Sequence, residues 1–130
     1  MYSLGVRREF SARHYLIGGD WGPENTEHTH HYRLELVLEA RTLDDHGFLV
    51  DIVEVERHLE EVLAAFAGQT LNALPAFAGL NPSIERLATV LHAAFRARLA
   101  HLDLEALTVT LWEDAIAWTS YRAPLRCASA

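Results

Sequence analysis

From Tyr2 to His14 the even positions read Tyr2, Leu4, Val6, Arg8, Phe10, Ala12 and His14, against Ser3, Gly5, Arg7, Glu9, Ser11 and Arg13 at the odd ones. A period of two predicts a half-buried strand, with Arg8 as the misfit on its apolar face. Gly18-Gly19-Asp20 and Gly22-Pro23 then interrupt regular structure. Alternation resumes with His28, His30, Tyr32, Leu34, Leu36 and Leu38 on one face, opposite Arg33, Glu35 and Glu39, and only Val37 is out of phase. Two strands joined by a long loop predict a wide antiparallel hairpin.

After the turn Asp44-Asp45-His46-Gly47 the period lengthens. Ile52, Val55, Leu59, Val62, Leu63 and Phe66 fall at helical spacing, with Glu54, Glu56, Glu60 and Glu61 opposite. A loop carrying Gly68, Pro75 and Gly79 leads to Asn81-Pro82, which predicts a helix start with Asn as the cap and Pro in the first turn. The stripe that follows is Ile84, Leu87, Ala88, Leu91, Phe95 and Leu99. Leu107-Val109-Leu111 predicts a third strand, and Ile116 to Tyr121 a fourth. The order ββααββ predicts an α+β domain over residues 1–130, with two helices on one face of a four-stranded antiparallel sheet. Such a sheet cannot close on itself, so its edges are expected to pair with neighbouring subunits.

Composition narrows the function. The chain has 130 residues, 50% of them hydrophobic and 22% charged, which fits one packed domain and excludes a disordered protein. A formal charge of −7 opposes both nucleic-acid backbones and anionic lipid. The segment MYSLGVRREF lacks the apolar run of a secretion signal, and no window approaches the roughly 18 apolar residues that span a membrane. A soluble, cytoplasmic protein is expected. The single cysteine, Cys127, cannot make an internal disulfide. Eight histidines are the unusual feature.

His28-Thr29-His30 places two imidazoles on the same face of a strand, because residues i and i+2 point the same way. Within the hairpin, His14 ends the first strand where His28 begins the second. All three histidines continue the apolar face of their strands, and His31 points away. Three neutral imidazoles converging there predict a zinc site with a fourth position open to water or substrate. His46, His58, His92 and His101 are read as turn or helix-surface residues without a role. Glu24 and Glu27 lie in the loop that delivers His28. A carboxylate there could act as a general base, although Glu27 reads as a solvated loop acid. Glu113, at the end of a strand, could hold paired N–H donors of a guanidine-like heterocycle bidentately, or be a turn acid.

Several segments together resemble one family across nearly the whole chain: FSARHYL at Phe10 to Leu16, HTHHY at His28 to Tyr32, GFLVDI at Gly47 to Ile52, Leu71-Asn72, NPSIERLA at Asn81 to Ala88, and Trp112-Glu113-Asp114 with Tyr121 behind it. The sequence resembles the 6-pyruvoyltetrahydropterin synthase and 6-carboxytetrahydropterin synthase family, which has the tunnelling fold (T-fold). The resemblance implies His14, His28 and His30 as zinc ligands and Glu113 as the anchor of a pterin ring. It also implies a homohexamer of two trimers, each trimer closing a twelve-stranded barrel, with active sites between subunits.

The departures from the family pattern bear on chemistry. Glu24 stands where the family usually carries a catalytic Cys, Thr29 replaces the middle Gly of its H-G-H motif, and Ala67-Gly68 occupy the place of its Asp-His pair. Losing a general base typically costs ~10²–10⁴-fold in rate. A branch of the family with Glu in the Cys position is associated with cleaving the side chain of 7,8-dihydroneopterin triphosphate to 6-hydroxymethyl-dihydropterin. The resemblance therefore implies a zinc-dependent pterin lyase with Glu24 as base. The alternatives are a related enzyme with another pterin- or purine-like substrate, and a zinc- and pterin-binding homologue without the family activity.

Overall fold

The computed structural model describes residues 1–125. Cys127, the single cysteine, lies outside them. Two long strands, β1 (Tyr2–His14) and β2 (His28–Ala40), pair antiparallel from Tyr2↔Ala40 to His14↔His28. Their inward positions are those the alternation picks out, with Phe10, Ala12, Tyr32, Leu34, Leu36 and Leu38 buried. β3 (Ala106–Trp112) pairs with β2, and β4 (Trp118–Pro124) pairs with β3. The sheet order is β1-β2-β3-β4, so β1 and β4 are its edges.

Helices α1 (Ile52–Ala64) and α2 (Ile84–Leu99) cover one face. The Asp51 carboxylate caps α1 by accepting from the Val53 N–H at 3.0 Å. Leu59, Leu87, Leu91, Phe95 and Leu99 are fully buried against Leu107, Val109 and Leu111. Each such side chain contributes about 1.5–3 kcal/mol through burial. The misfit Arg8 also has its reason here. Its guanidinium reaches Glu60 at 2.7 Å and Glu56 at 3.2 Å on the polar flank of α1, tying helix to strand.

Four details differ from the sequence expectation. α2 begins two residues later than Asn81-Pro82 implies, with the Ser83 hydroxyl as its cap, because the Asn81 amide is engaged elsewhere. Ile52, assigned to the apolar stripe, is 45% exposed. β4 begins at Trp118 rather than Ile116, since the Asp114 carboxylate accepts from the Ile116 and Ala117 N–H groups and holds that stretch as a turn. His92 is not on the helix surface. It lies in the buried stripe of α2, bonded through Nε2 to the Leu107 carbonyl at 3.0 Å and edge-on to Tyr121.

Candidate metal centre

At the loop end of the hairpin, His14 and His28 face each other as direct strand partners, and His30 follows one pleat along. The His28 Nε2 atom stands 3.0 Å from Nε2 of His14 and 3.0 Å from Nε2 of His30. Their other nitrogens decide what lies between them. His14 Nδ1 is 3.0 Å from the Pro82 carbonyl, and His28 Nδ1 is 2.7 Å from the Thr26 carbonyl. A carbonyl only accepts, so each Nδ1 carries the proton. In the neutral rings both Nε2 atoms are then lone pairs pointed at one another. A cation between them removes that repulsion, and carbonyl-oriented imidazoles are the usual outer support of a metal-bound histidine. A tetrahedral ion with bonds of about 2.1 Å separates its ligand atoms by about 3.4 Å, close to the spacing found. The residues fit a zinc-class ion.

Burial adds to this preference. His14 is almost fully buried, and desolvation, followed by the neighbouring imidazoles, pulls its pKa below the ordinary value, with the Pro82 carbonyl and Glu24 opposing. The ring is thereby kept in the neutral form that coordinates. His31 points to the opposite face and meets the Ser11 hydroxyl at 3.0 Å.

Glu24 joins the cluster directly. Its Oε2 lies 2.9 Å from His28 Nε2, and the ligating atoms of His14, Glu24, His28 and His30 all lie within 4.8 Å of one another. The carboxylate thus stands at the coordination position that the three histidines leave, rather than apart from it. It is brought there by the loop between β1 and β2, whose shape depends on three asparagines. Asn72 accepts from the Tyr15 N–H at 3.0 Å and donates to the Tyr15 carbonyl at 2.9 Å. Asn81 makes the same pair of bonds with Ile17, at 2.7 and 3.1 Å. Asn25 donates to the Leu16 and Gly19 carbonyls and accepts from Trp21. The Leu16 N–H closes the loop onto the Glu24 carbonyl at 2.8 Å.

Glu113 flanks the same centre from the β3–β4 turn, where its N–H bonds the Ala117 carbonyl. Its Oε1 is 3.4 Å from His30 Nε2, and its side chain is 30% exposed. A cleft of about 360 Å3 opens beside it, lined by His30, Trp112, Glu113 and Asp114 together with Glu9, Thr29, His31 and Arg33 from the other face of the sheet. A larger cavity of about 500 Å3, around Phe48 and Val50, contains none of these residues. It shares no residue with the histidine cluster, whereas the smaller cleft includes His30 and Glu113.

Two neighbours escape a reading by residue type. Tyr32 is buried beside His30, and burial, then the charges of Glu113 and Glu24, push its phenol pKa well above the ordinary value, so it stays protonated. Glu27 is not simply solvated, because the Thr70 hydroxyl donates to it. At Ala67-Gly68 there is no titratable side chain. The segment instead packs backbone to backbone, with Gly68, at φ +72°, donating to the Ser11 carbonyl at 2.7 Å.

The family model described as 6-pyruvoyl tetrahydropterin synthase matches residues 3–124. No curated protein matches the chain. Among solved structures, the 6-pyruvoyl tetrahydropterin synthase of Caenorhabditis elegans superposes with a TM-score of 0.81 at 18% identity, covering 94% of this chain and 95% of that one. The Plasmodium vivax enzyme of the same name gives a TM-score of 0.78 at 14% identity, covering 95% and 98%. A P. vivax structure in which a glutamate described as a catalytic residue is replaced by alanine gives 0.78 at 12% identity, with 95% and 98% covered. At such identities the likeness establishes the fold, which is the T-fold.

Proposed function

The chain belongs to the 6-pyruvoyl tetrahydropterin synthase family, and from that premise we propose that it is a zinc-dependent lyase acting on the side chain of 7,8-dihydroneopterin triphosphate or a related pterin. The observation that carries this reading is the convergence of the Nε2 atoms of His14, His28 and His30 with the Glu24 carboxylate, and the Glu113 carboxylate beside His30. In this reading His14, His28 and His30 hold zinc. Bound there, zinc supplies a Lewis acid for the oxygens of the substrate side chain.

Glu113 binds the paired N–H donors of the pterin ring, using the bidentate geometry a carboxylate uses with a guanidinium. Glu24 swings from His28 to the substrate and removes the proton of the hydroxyl beside the scissile bond. That carbon becomes a carbonyl as the carbon–carbon bond breaks, and the electron pair passes into the ring-conjugated fragment. Glu24, now protonated, returns the proton to the remaining side-chain carbon, giving a hydroxymethyl pterin. One carboxylate acting first as base and then as acid accommodates the loss of any titratable partner at Ala67-Gly68. A glutamate described as a catalytic residue in the P. vivax relative supports giving this task to a glutamate here.

The proposed assembly is a dimer of trimers of one-domain subunits spanning 1–130. The open edges β1 and β4 support it, because each leaves a row of backbone donors and acceptors to be paired. The sheet face away from the helices carries matched charges, Arg7 with Glu35 and Arg122 with Glu39, as a wet barrel lumen requires.

The test is product analysis of the zinc-loaded protein with 7,8-dihydroneopterin triphosphate. Wild type yields the hydroxymethyl pterin. Glu24→Gln keeps zinc and pterin binding and loses ~10²–10⁴-fold in rate. A fully active Glu24→Gln removes that residue from the mechanism. Ala67-Gly68 favours a second reading, a ligand-binding homologue with another substrate or none. Tight pterin binding without turnover by wild type would select it.

A further inference from the structure

A second group of ligand-type side chains lies away from the β1–β2 loop. Glu54 and His58 stand one turn apart on the same face of α1, and His101 approaches them from the turn that follows α2. His101 Nε2 is 2.6 Å from Glu54 Oε1, and His58 Nε2 is 3.7 Å from that same oxygen. The three ligating atoms lie within 4.8 Å of one another, in two imidazoles and one carboxylate.

His58 has no ordinary explanation. Its side chain is only 12% exposed, yet Nδ1 is buried without a hydrogen-bond partner among the described residues, and Nε2 stands beyond bonding reach of Glu54. A polar ring buried to this degree normally satisfies at least one nitrogen. The polar groups that Nε2 faces are Glu54 and His101. Glu54 Oε1 is the atom both imidazoles face, so the carboxylate stands between the two rings. The 3.7 Å spacing matches the edge of a tetrahedral site with bonds near 2.1 Å, which is about 3.4 Å. The shorter Glu54–His101 contact opens by under about 1 Å when an ion replaces the shared proton.

We propose that Glu54, His58 and His101 form a second site for a divalent transition cation of the zinc class, clamping the start of α1 to the turn after α2. Two imidazoles with one carboxylate select a borderline ion such as zinc, cobalt or nickel over calcium or magnesium. The exposed side of His101 leaves the remaining positions to water. The site is separate from the pterin centre and does not depend on its chemistry.

The test is zinc stoichiometry by equilibrium dialysis after chelator treatment, at micromolar free zinc. Wild type is expected to bind two zinc ions per chain, His101→Ala one, and His28→Ala one. In the His28→Ala protein, zinc should still raise the melting temperature and perturb the His101 ring resonances, and both effects should vanish on adding His101→Ala. His101→Ala should leave pterin turnover unchanged, because it stands outside the pterin site. A wild-type stoichiometry of one, or an undiminished stoichiometry in His101→Ala, overturns the proposal. Loss of pterin activity in wild type would not touch it.

Discussion

Replacing Asn72 by alanine removes the clamp on the residue that follows His14. Two hydrogen bonds disappear, one into the Tyr15 N–H at 3.0 Å and one to the Tyr15 carbonyl at 2.9 Å, both in a part-buried setting. At about 0.5–1.5 kcal/mol each, their loss destabilises the chain by about 1–3 kcal/mol. With an unfolding entropy near 2.1 cal/mol/K per residue, that lowers the melting temperature by roughly 4–11 °C for a chain of this length. Urea unfolding of the chelator-treated protein at fixed concentration reads the change, since association would otherwise shift the midpoint. Asn72→Asp is a sharper probe. It keeps the acceptor for Tyr15 N–H but sets an anionic oxygen against the Tyr15 carbonyl, so it should be destabilised as well. Zinc affinity should weaken in both variants, because the backbone that aims His14 is released. An unchanged urea midpoint in Asn72→Ala would refute the view that asparagine side chains shape this loop.

Two further expectations concern protons and metal. Burial, and then Arg96, lower the His92 pKa below its ordinary value of 6.5, with backbone bonds to Leu107 and Ala123 opposing. A folded pKa below the unfolded one means the stabilisation is complete above about pH 6.5 and is lost as pH falls through the window beneath it. The metal-free protein should therefore weaken between pH 7 and 5, partly through His14, which is shifted the same way. His92→Gln should flatten the slope, and an identical slope in wild type and variant would contradict the assignment. Zinc at about 100 times its dissociation constant for the His14–His28–His30 centre should stabilise the chain by about 2.7 kcal/mol, readable as a melting shift of roughly 10 °C that chelation reverses and that His28→Ala reduces to the contribution of the Glu54–His58–His101 site. A melting temperature indifferent to zinc would count against the histidine centre.

Some of this was readable from residue order alone. The β1–β2 pairing and the shared face of His14, His28 and His30 follow from a period of two, because strand parity needs no tertiary information. Other features depend on partners remote in sequence. Asn81-Pro82 has the signature of a helix start, but its amide is taken by Ile17, 64 residues away, and the helix begins later. Glu24 was identifiable as a loop acid. Its arrival at the histidines depends on clamps by Asn25, Asn72 and Asn81 that no local pattern reports. His92 and His58 lie deeper than their polarity suggests. His92 stands four residues after Ala88 and three before Phe95, and His58 three after Val55 and four before Val62, so helical spacing alone indicates a buried position for the first and a half-buried one for the second.

A crystal structure of the zinc-loaded protein with 7,8-dihydroneopterin bound tests the central claim most directly. The account predicts one zinc on His14, His28 and His30, the pterin N–H donors on the Glu113 carboxylate, and Glu24 within hydrogen-bond reach of a side-chain hydroxyl. A complex in which Glu24 points into bulk solvent while the pterin occupies the cleft would contradict it.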